Sequence, residues 1–316
     1  MSYRHLSFFL LLLTLAGADT LSPITTVKAS GLVSDIVEDS GYLYVATDNG
    51  VVDIIDLTTQ QVVWQIHFDP IERSGGVALP ARIHSIDRFN GKTLMVTSAS
   101  NNYRHVWMEQ NGTVHKVIDA KKKKMPKSAY FDNEGNIVLG TFGSDIMRYD
   151  TLENGTLYER QISESTMGGM ALDHKREKMV LSDESGRVQL IDINSSRVLQ
   201  EFDSEHADNI YRVAYANGII ISAGQDRRVG VYIGSDKAYH IKSDFLVYSV
   251  AISPSGKTAL YSSGTEHHLQ LFNPLTGKKG DRLVGHRATP NKILFITEKA
   301  IISAGDEENI YFWLIP

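Results

Sequence analysis

The residues that could do chemistry in this 316-residue chain are scattered along it. His267-His268 is the adjacent histidine pair, but neighbouring side chains on a strand or turn point apart, which is poor geometry for a shared metal ion. Ser253-Pro254-Ser255-Gly256 has serines among small residues. It lies between two β-type apolar runs and not between a strand and a helix, so it reads as a turn and not as a nucleophile elbow. Gly168-Gly169 lets a backbone approach closely, either to a phosphate or, on the simpler reading, to a neighbouring segment at a crowded axis. Gln225-Asp226-Arg227-Arg228 is a charged turn whose arginines could fork onto a partner's carboxylates; reversing Arg227 and Arg228 to Glu is then expected to weaken binding and leave folding intact. The chain has no cysteine, which removes disulfides, thiolate metal sites and c-type haem attachment. The expectation is no catalytic residue, no metal and no cofactor.

The elements that must carry these residues come from a repeat. "AISPSGKTALYSSGTEHHLQLFN" (251–273) reads as strand, turn, strand, turn, strand. The same pattern recurs from Ser34, His84, Ser128, Gly168, Tyr211 and Asn291, making seven copies. The first apolar residue of the third strand falls at Val52, Val106, Ile146, Val188, Val229, Leu269 and Ile310. Successive differences are 54, 40, 42, 41, 40 and 41, so the period is near 41 with one insertion around His67 to Arg82. Short β runs at about 40–45 residues match propeller blades of four strands. The runs are too short for a helical repeat and too rich in Val, Ile and Tyr.

A fourth run, such as "SSRVLQEF" (195–202) or "GKKGDRLVG" (277–285), leads from each copy to the next. The last copy stops after its third strand, whereas "PITTVKA" (23–29) belongs to no copy. The expected fold is all-β: a WD40-like seven-bladed β-propeller whose N-terminal strand completes the last blade and closes the ring, one domain over 19–316. WD40 features are partial. Gly285-His286 stands where that repeat's GH pair belongs, His206 and Asp226 fall at comparable places, and the terminal W-D pair is missing, its nearest counterparts being Trp107-Met108 and Trp313-Leu314.

The start of the chain predicts export. Arg4-His5, a short apolar run from Leu6 to Leu15 and Ala16-Gly17-Ala18 form a signal peptide over 1–18, cleaved after Ala18. The run is shorter than the about 20 residues that span a bilayer, so no membrane attachment is expected after cleavage. An exported chain of this size without cysteine points to the bacterial periplasm. Sequons at Asn111, Asn154 and Asn194 are candidate glycosylation sites. The net charge of −5, with Lys121-Lys122-Lys123-Lys124 as the basic run, gives no broad basic face for nucleic acid.

Aligning the first strands places two rings of residues near the axis on the wide face, where the loops before strand one and between strands two and three converge. One ring is Ser34, His84, Lys127, Gly168, Tyr211, Tyr248 and Asn291. The next is Asp35, Ser85, Ser128, Gly169, Arg212, Ser249 and Lys292. Strand alternation lets only one ring face the channel at a given depth. The rings hold one carboxylate and one histidine, too few for metal or acid–base chemistry, and three tryptophans in the chain are too few for a stacked quinone site. The leading expectation is therefore an interaction scaffold that contacts a protein partner through His84, Lys127, Tyr211, Arg212, Asp226, Arg227, Arg228, Tyr248 and Lys292. The alternative is an enzyme or a cofactor- or small-ligand-binding propeller with its site in the central channel.

Several segments extend the reading: "KASGLVSDIVEDSGYLYVATDNGVVDIIDL" (28–57), "GTFGSDIMRYD" (140–150), "LSDESGRVQLID" (181–192), "ISAGQDRRVGVY" (221–232) and "IKSDFLVYSVAISPSGKTALYSSG" (241–264). Together they resemble the NapL family, exported WD40-like propellers encoded in periplasmic nitrate reductase (Nap) clusters. The resemblance implies a non-catalytic accessory of periplasmic nitrate reduction, with reductase subunits or a maturation factor as partner. It supplies no catalytic residues.

Overall fold

In the computed structural model, residues 19–73 and 75–316 are described; the signal segment expected over 1–18 lies outside them. Seven four-stranded antiparallel blades follow one another around an axis. Their innermost strands are Val33–Asp39, Ile83–Phe89, Pro126–Phe131, Met167–Leu172, Ile210–Ala216, Val250–Ile252 and Pro290–Phe295. Blade 7 has three strands of its own, and Thr25–Lys28 pairs antiparallel with its Glu307–Leu314, Thr25 opposite Phe312 and Lys28 opposite Asn309. The N-terminal strand thus closes the ring, leaving no open seam.

The N-terminus does one thing more than expected. Thr20–Leu21 pairs in parallel with Lys279–Leu283 as a fifth strand of blade 6, so a single segment straps blades 6 and 7 together. The insertion after blade 1 folds into a small hairpin, Ile71–Arg73 against Val77–Leu79. The lysine run caps a single 3-10 turn, Ala120–Lys122, and its first three lysines are exposed.

The core lies between blades. Each of seven apolar clusters joins two neighbours; one, for example, unites Val229, Val231 and Ile221 of blade 5 with Val250, Tyr261 and Phe272 of blade 6. A middle strand buries both faces, which explains buried, mainly apolar runs such as Ile219–Gly224 and Ala300–Gly305. The outermost strands are more exposed, and on blade 1 Val62, Val63 and Trp64 stand at the rim.

Among the glycines, Gly168 sits closest against a neighbouring blade. A Cβ there would sit 1.7 Å from the carbonyl oxygen of Ile210 in the next blade, and at Gly169 2.9 Å from Arg212 Cα. The glycine pair therefore serves blade packing, the simpler of its two readings. Ser253–Gly256 is the turn between the first two strands of blade 6, and Ser255 is bound through its N and Oγ by Glu298 of blade 7 at 2.7 and 2.6 Å.

Candidate functional site

The site is built on a repeated irregularity. At the start of the innermost strand the ladder slips, leaving an extra residue between Val33 and Asp35, Ile83 and Ser85, Pro126 and Ser128, Ile210 and Arg212, and Pro290 and Lys292. In blade 4, Gly168 and Gly169 together oppose one residue. Blade 6 reaches the same end with a side chain: Ser262 Oγ accepts hydrogen bonds from the N–H groups of Tyr248 and Ser249, at 2.8 and 3.1 Å. The first ring read from the sequence is thus the ring of bulge positions.

A bulge suspends the two-residue alternation and re-aims side chains. Simple alternation is suspended in blade 7, where the successive residues Asn291 and Lys292 both line the axial cavity. Other members of the second ring turn between blades. Ser85 Oγ bonds Ala129, and Ser249 Oγ donates to the Pro290 carbonyl at 2.5 Å.

Inside the channel, Lys292 Nζ forms an ion pair with Asp35, whose carboxylate also accepts the N–H groups of Ile36 and Ile86 at 3.0 Å each. Burial, then the nearby Arg212 guanidinium, pushes the Lys292 ammonium down to about 8. Lys127 is likewise pushed down to about 8 by burial, then by Arg212 and Arg104. Its Nζ donates to the Met167 carbonyl at 2.6 Å and lies over the Phe142 ring, which Arg104 also covers. His84 bonds Ser98 Oγ at 2.8 Å, and burial followed by Arg104 and Arg82 lowers its pKa to about 3, so it is neutral at physiological pH.

At the channel mouth, Tyr211 and Tyr248 of neighbouring blades stack, with ring centroids 5.4 Å apart and planes at 13°; Phe245 lies 6.4 Å from Tyr248. Tyr211 OH donates to Gln225 Oε1 at 2.9 Å, tying the stack to the charged turn of blade 5.

That turn divides its residues between two tasks. Asp226 accepts from the Ala207 N–H at 3.0 Å and pairs with His206 Nδ1 at 3.0 Å, while His206 Nε2 meets Ser222 Oγ at 2.7 Å. Arg228 donates to the Glu205 carbonyl at 3.1 Å and flanks Asp226. Both residues hold the loop in place. Arg227 projects, exposed, from a backbone with φ +63°.

Blade 7 carries the fuller version of this network. His286 Nδ1 pairs with Glu307 at 2.9 Å, His286 Nε2 meets Ser303 Oγ at 2.7 Å, and Trp313 Nε1 donates to the same Ser303 at 2.8 Å. Burial alone would raise the Glu307 pKa, but bonds from His286, Tyr311 and the Arg287 N–H bring it to about 2. In blade 5 Tyr232 stands where blade 7 has Trp313, with its OH 3.5 Å from Ser222. The GH pair and His206 had marked these two blades in the sequence. The histidine pair His267-His268 sits at the turn between strands two and three of blade 6, and no group of three or more His, Cys, Asp or Glu among the described residues is placed to hold a metal. The three sequon asparagines are exposed and occupy the turns between strands three and four of blades 2, 3 and 4. Asn111 and Gly112 both have positive φ, as a tight hairpin turn requires.

No family model matches the chain. No curated protein matches it in sequence. Among solved structures, the β-propeller domain of Cps50 (Swd1) from Myceliophteria thermophila superposes with a TM-score of 0.72 at 14% identity, covering 93% of this chain and 99% of that one. At that identity the likeness shows the fold, and with 1794 solved chains matching, the fold leaves function open.

Proposed function

We propose that the chain is a non-catalytic scaffold that binds a protein partner on the face bearing the channel mouth. The observation that carries this reading is the Tyr211–Tyr248 stack, with Phe245 beside it and the exposed Arg227 on the adjoining turn. Tyrosine and arginine are enriched among the residues that dominate binding energy at interfaces, and rigid aromatic side chains lose little entropy when covered. The turn is held by the His206–Asp226–Ser222 network, so the surface is formed before a partner arrives. Propellers commonly serve as interaction platforms, which agrees with this use.

The resemblance of five segments to the NapL family supports a finer reading: an exported, periplasmic accessory of nitrate reduction whose partner is a reductase subunit or maturation factor. The test is affinity capture from a periplasmic extract with the tagged protein and with Arg227→Glu and Tyr248→Ala variants. Arg228 is left intact because it secures the loop. Recovery of nitrate reductase subunits, reduced in both variants, supports the proposal. Recovery of a different partner with the same dependence keeps the scaffold and removes the pathway. Capture unaffected by either substitution, or no capture by folded protein, overturns the face assignment.

A further inference from the structure

The axial channel holds more positive charge than the fold uses. A cavity of about 750 Å³, within the range of ligand sites, opens on the face opposite the tyrosine stack, between the turns at Asp173–Lys175, Asn217–Gly218 and Pro254. Its inner part is lined by Asp35, Arg212 and Lys292. Asp35 is already satisfied by Lys292 and two backbone N–H groups. Arg212 has no hydrogen bond or ion pair to another described residue, although it is half-buried. A guanidinium has five N–H donors in a planar fork that fits carboxylate and phosphate oxygens, and leaving it half-buried without a counter-ion is costly. Lys127 beyond it donates to a backbone carbonyl and lies over the Phe142 ring, with no ion pair among the described residues.

We propose that this cavity is a binding site for a small multivalent oxyanion, carrying phosphate or carboxylate groups, which the Arg212 fork grips with Lys292 beside it. Burial, with the Arg212 charge adding to it, lowers the proton affinity of both Lys127 and Lys292, a crowding of positive charge that too few anions offset. A bound oxyanion would relieve that crowding and raise the Lys292 and Lys127 pKa values. At the rim, Asp173 is committed to the N–H groups of Glu177 and Lys178, and His174 and Lys175 flank the opening. The inference is independent of the partner face, since it uses the interior and the opposite mouth.

The test is calorimetric titration of the purified chain with pyrophosphate and, separately, citrate at low ionic strength, repeated with Arg212→Gln. Because Arg212 has no hydrogen-bonding or ion-pair partner among the described residues, the variant should fold with an unchanged melting temperature. Saturable binding is expected, weakened by roughly tenfold or more in Arg212→Gln, as losing charge-assisted hydrogen bonds implies, and weakened by added salt. Pyrophosphate alone binding assigns a phosphate ligand, citrate alone a polycarboxylate, and both a site selecting on charge. No saturable binding of either at millimolar concentration, or equal affinity in Arg212→Gln, overturns the proposal.

Discussion

Arg176 offers the sharpest test of how the ring is held. It lies in the turn between the first two strands of blade 4, and its guanidinium crosses blade 3 to reach blade 2. There Nη1 and Nη2 bind the two oxygens of Asp87 at 2.7 and 3.0 Å, and also donate to the carbonyls of Phe131 and Arg88 at 2.7 and 3.0 Å. The Asp87 side chain is 4% exposed. Arg176→Ala would leave that carboxylate buried with the Phe131 N–H, at 2.8 Å, as its remaining donor from another blade. Stranding one partner of a buried ion pair costs about 3–5 kcal/mol. For a chain of this size that is about 6–10 °C in melting temperature.

The cause can be separated from simple loss of packing. In an Asp87→Asn background no charge remains to be stranded, so Arg176→Ala should cost about 1–2 kcal/mol there, leaving a coupling of roughly 2 kcal/mol in the double-mutant cycle. Burial already pushes the Asp87 pKa up, with Arg176 opposing. Without Arg176 it rises further, so the variant's deficit should shrink as the pH is lowered through that raised value and the carboxyl takes up its proton. Urea denaturation of the four proteins at several pH values reads all of this. A loss under about 1 kcal/mol, or an equal loss in both backgrounds, would refute the claim that this pair clamps three blades.

Two further outcomes follow from the same packing. Gly168→Ala would put a methyl 1.7 Å from the Ile210 carbonyl oxygen and should cost about 3 kcal/mol or more, whereas Gly280→Ala, whose nearest neighbour would be 3.6 Å away, should change stability by less than about 1 kcal/mol; paired urea titrations decide it. Acid should destabilise the ring well above the carboxylate range: burial lowers the pKa of His84, His206 and His286, so the unfolded chain takes up protons that the native chain refuses. Stability is therefore complete above the ordinary value of 6.5 and falls as the pH drops below it, by up to about 1.4 kcal/mol per pH unit for each histidine. A urea midpoint unchanged between about pH 7.5 and pH 5 would show that these rings are charged in the native state.

The blades were legible because each rests on a local signal repeated seven times. Apolar runs of strand length, Gly and Asn turns and a period near 41 leave little else to build, and the unassigned "PITTVKA" found its place because a three-stranded last blade needed a partner. The Thr20–Leu21 strand was not legible, being two residues without a pattern that derive their order from Lys279–Leu283 at the other end of the sequence. Arg176 was equally silent. Nothing near it in sequence announces Asp87, 89 positions away, because the contact depends on how three blades are stacked.

The charged channel falls between these cases, and the bulge explains why. Alignment alone found both rings, including Lys127, Arg212 and Lys292, but strand alternation then implied that half of each column pointed away from the axis. The inserted residue of the blade 7 innermost strand breaks that rule, and Asn291 and Lys292 line the cavity together. A bulge has no reliable sequence signature, since the extra residue here is Ser, His, Lys, Tyr or Asn in different blades. In blades 3, 5 and 7 the cations Lys127, Arg212 and Lys292 stand at or directly after the inserted residue. Regular strands thus give the ring its stability, and the shared irregularity at their starts gives it a site.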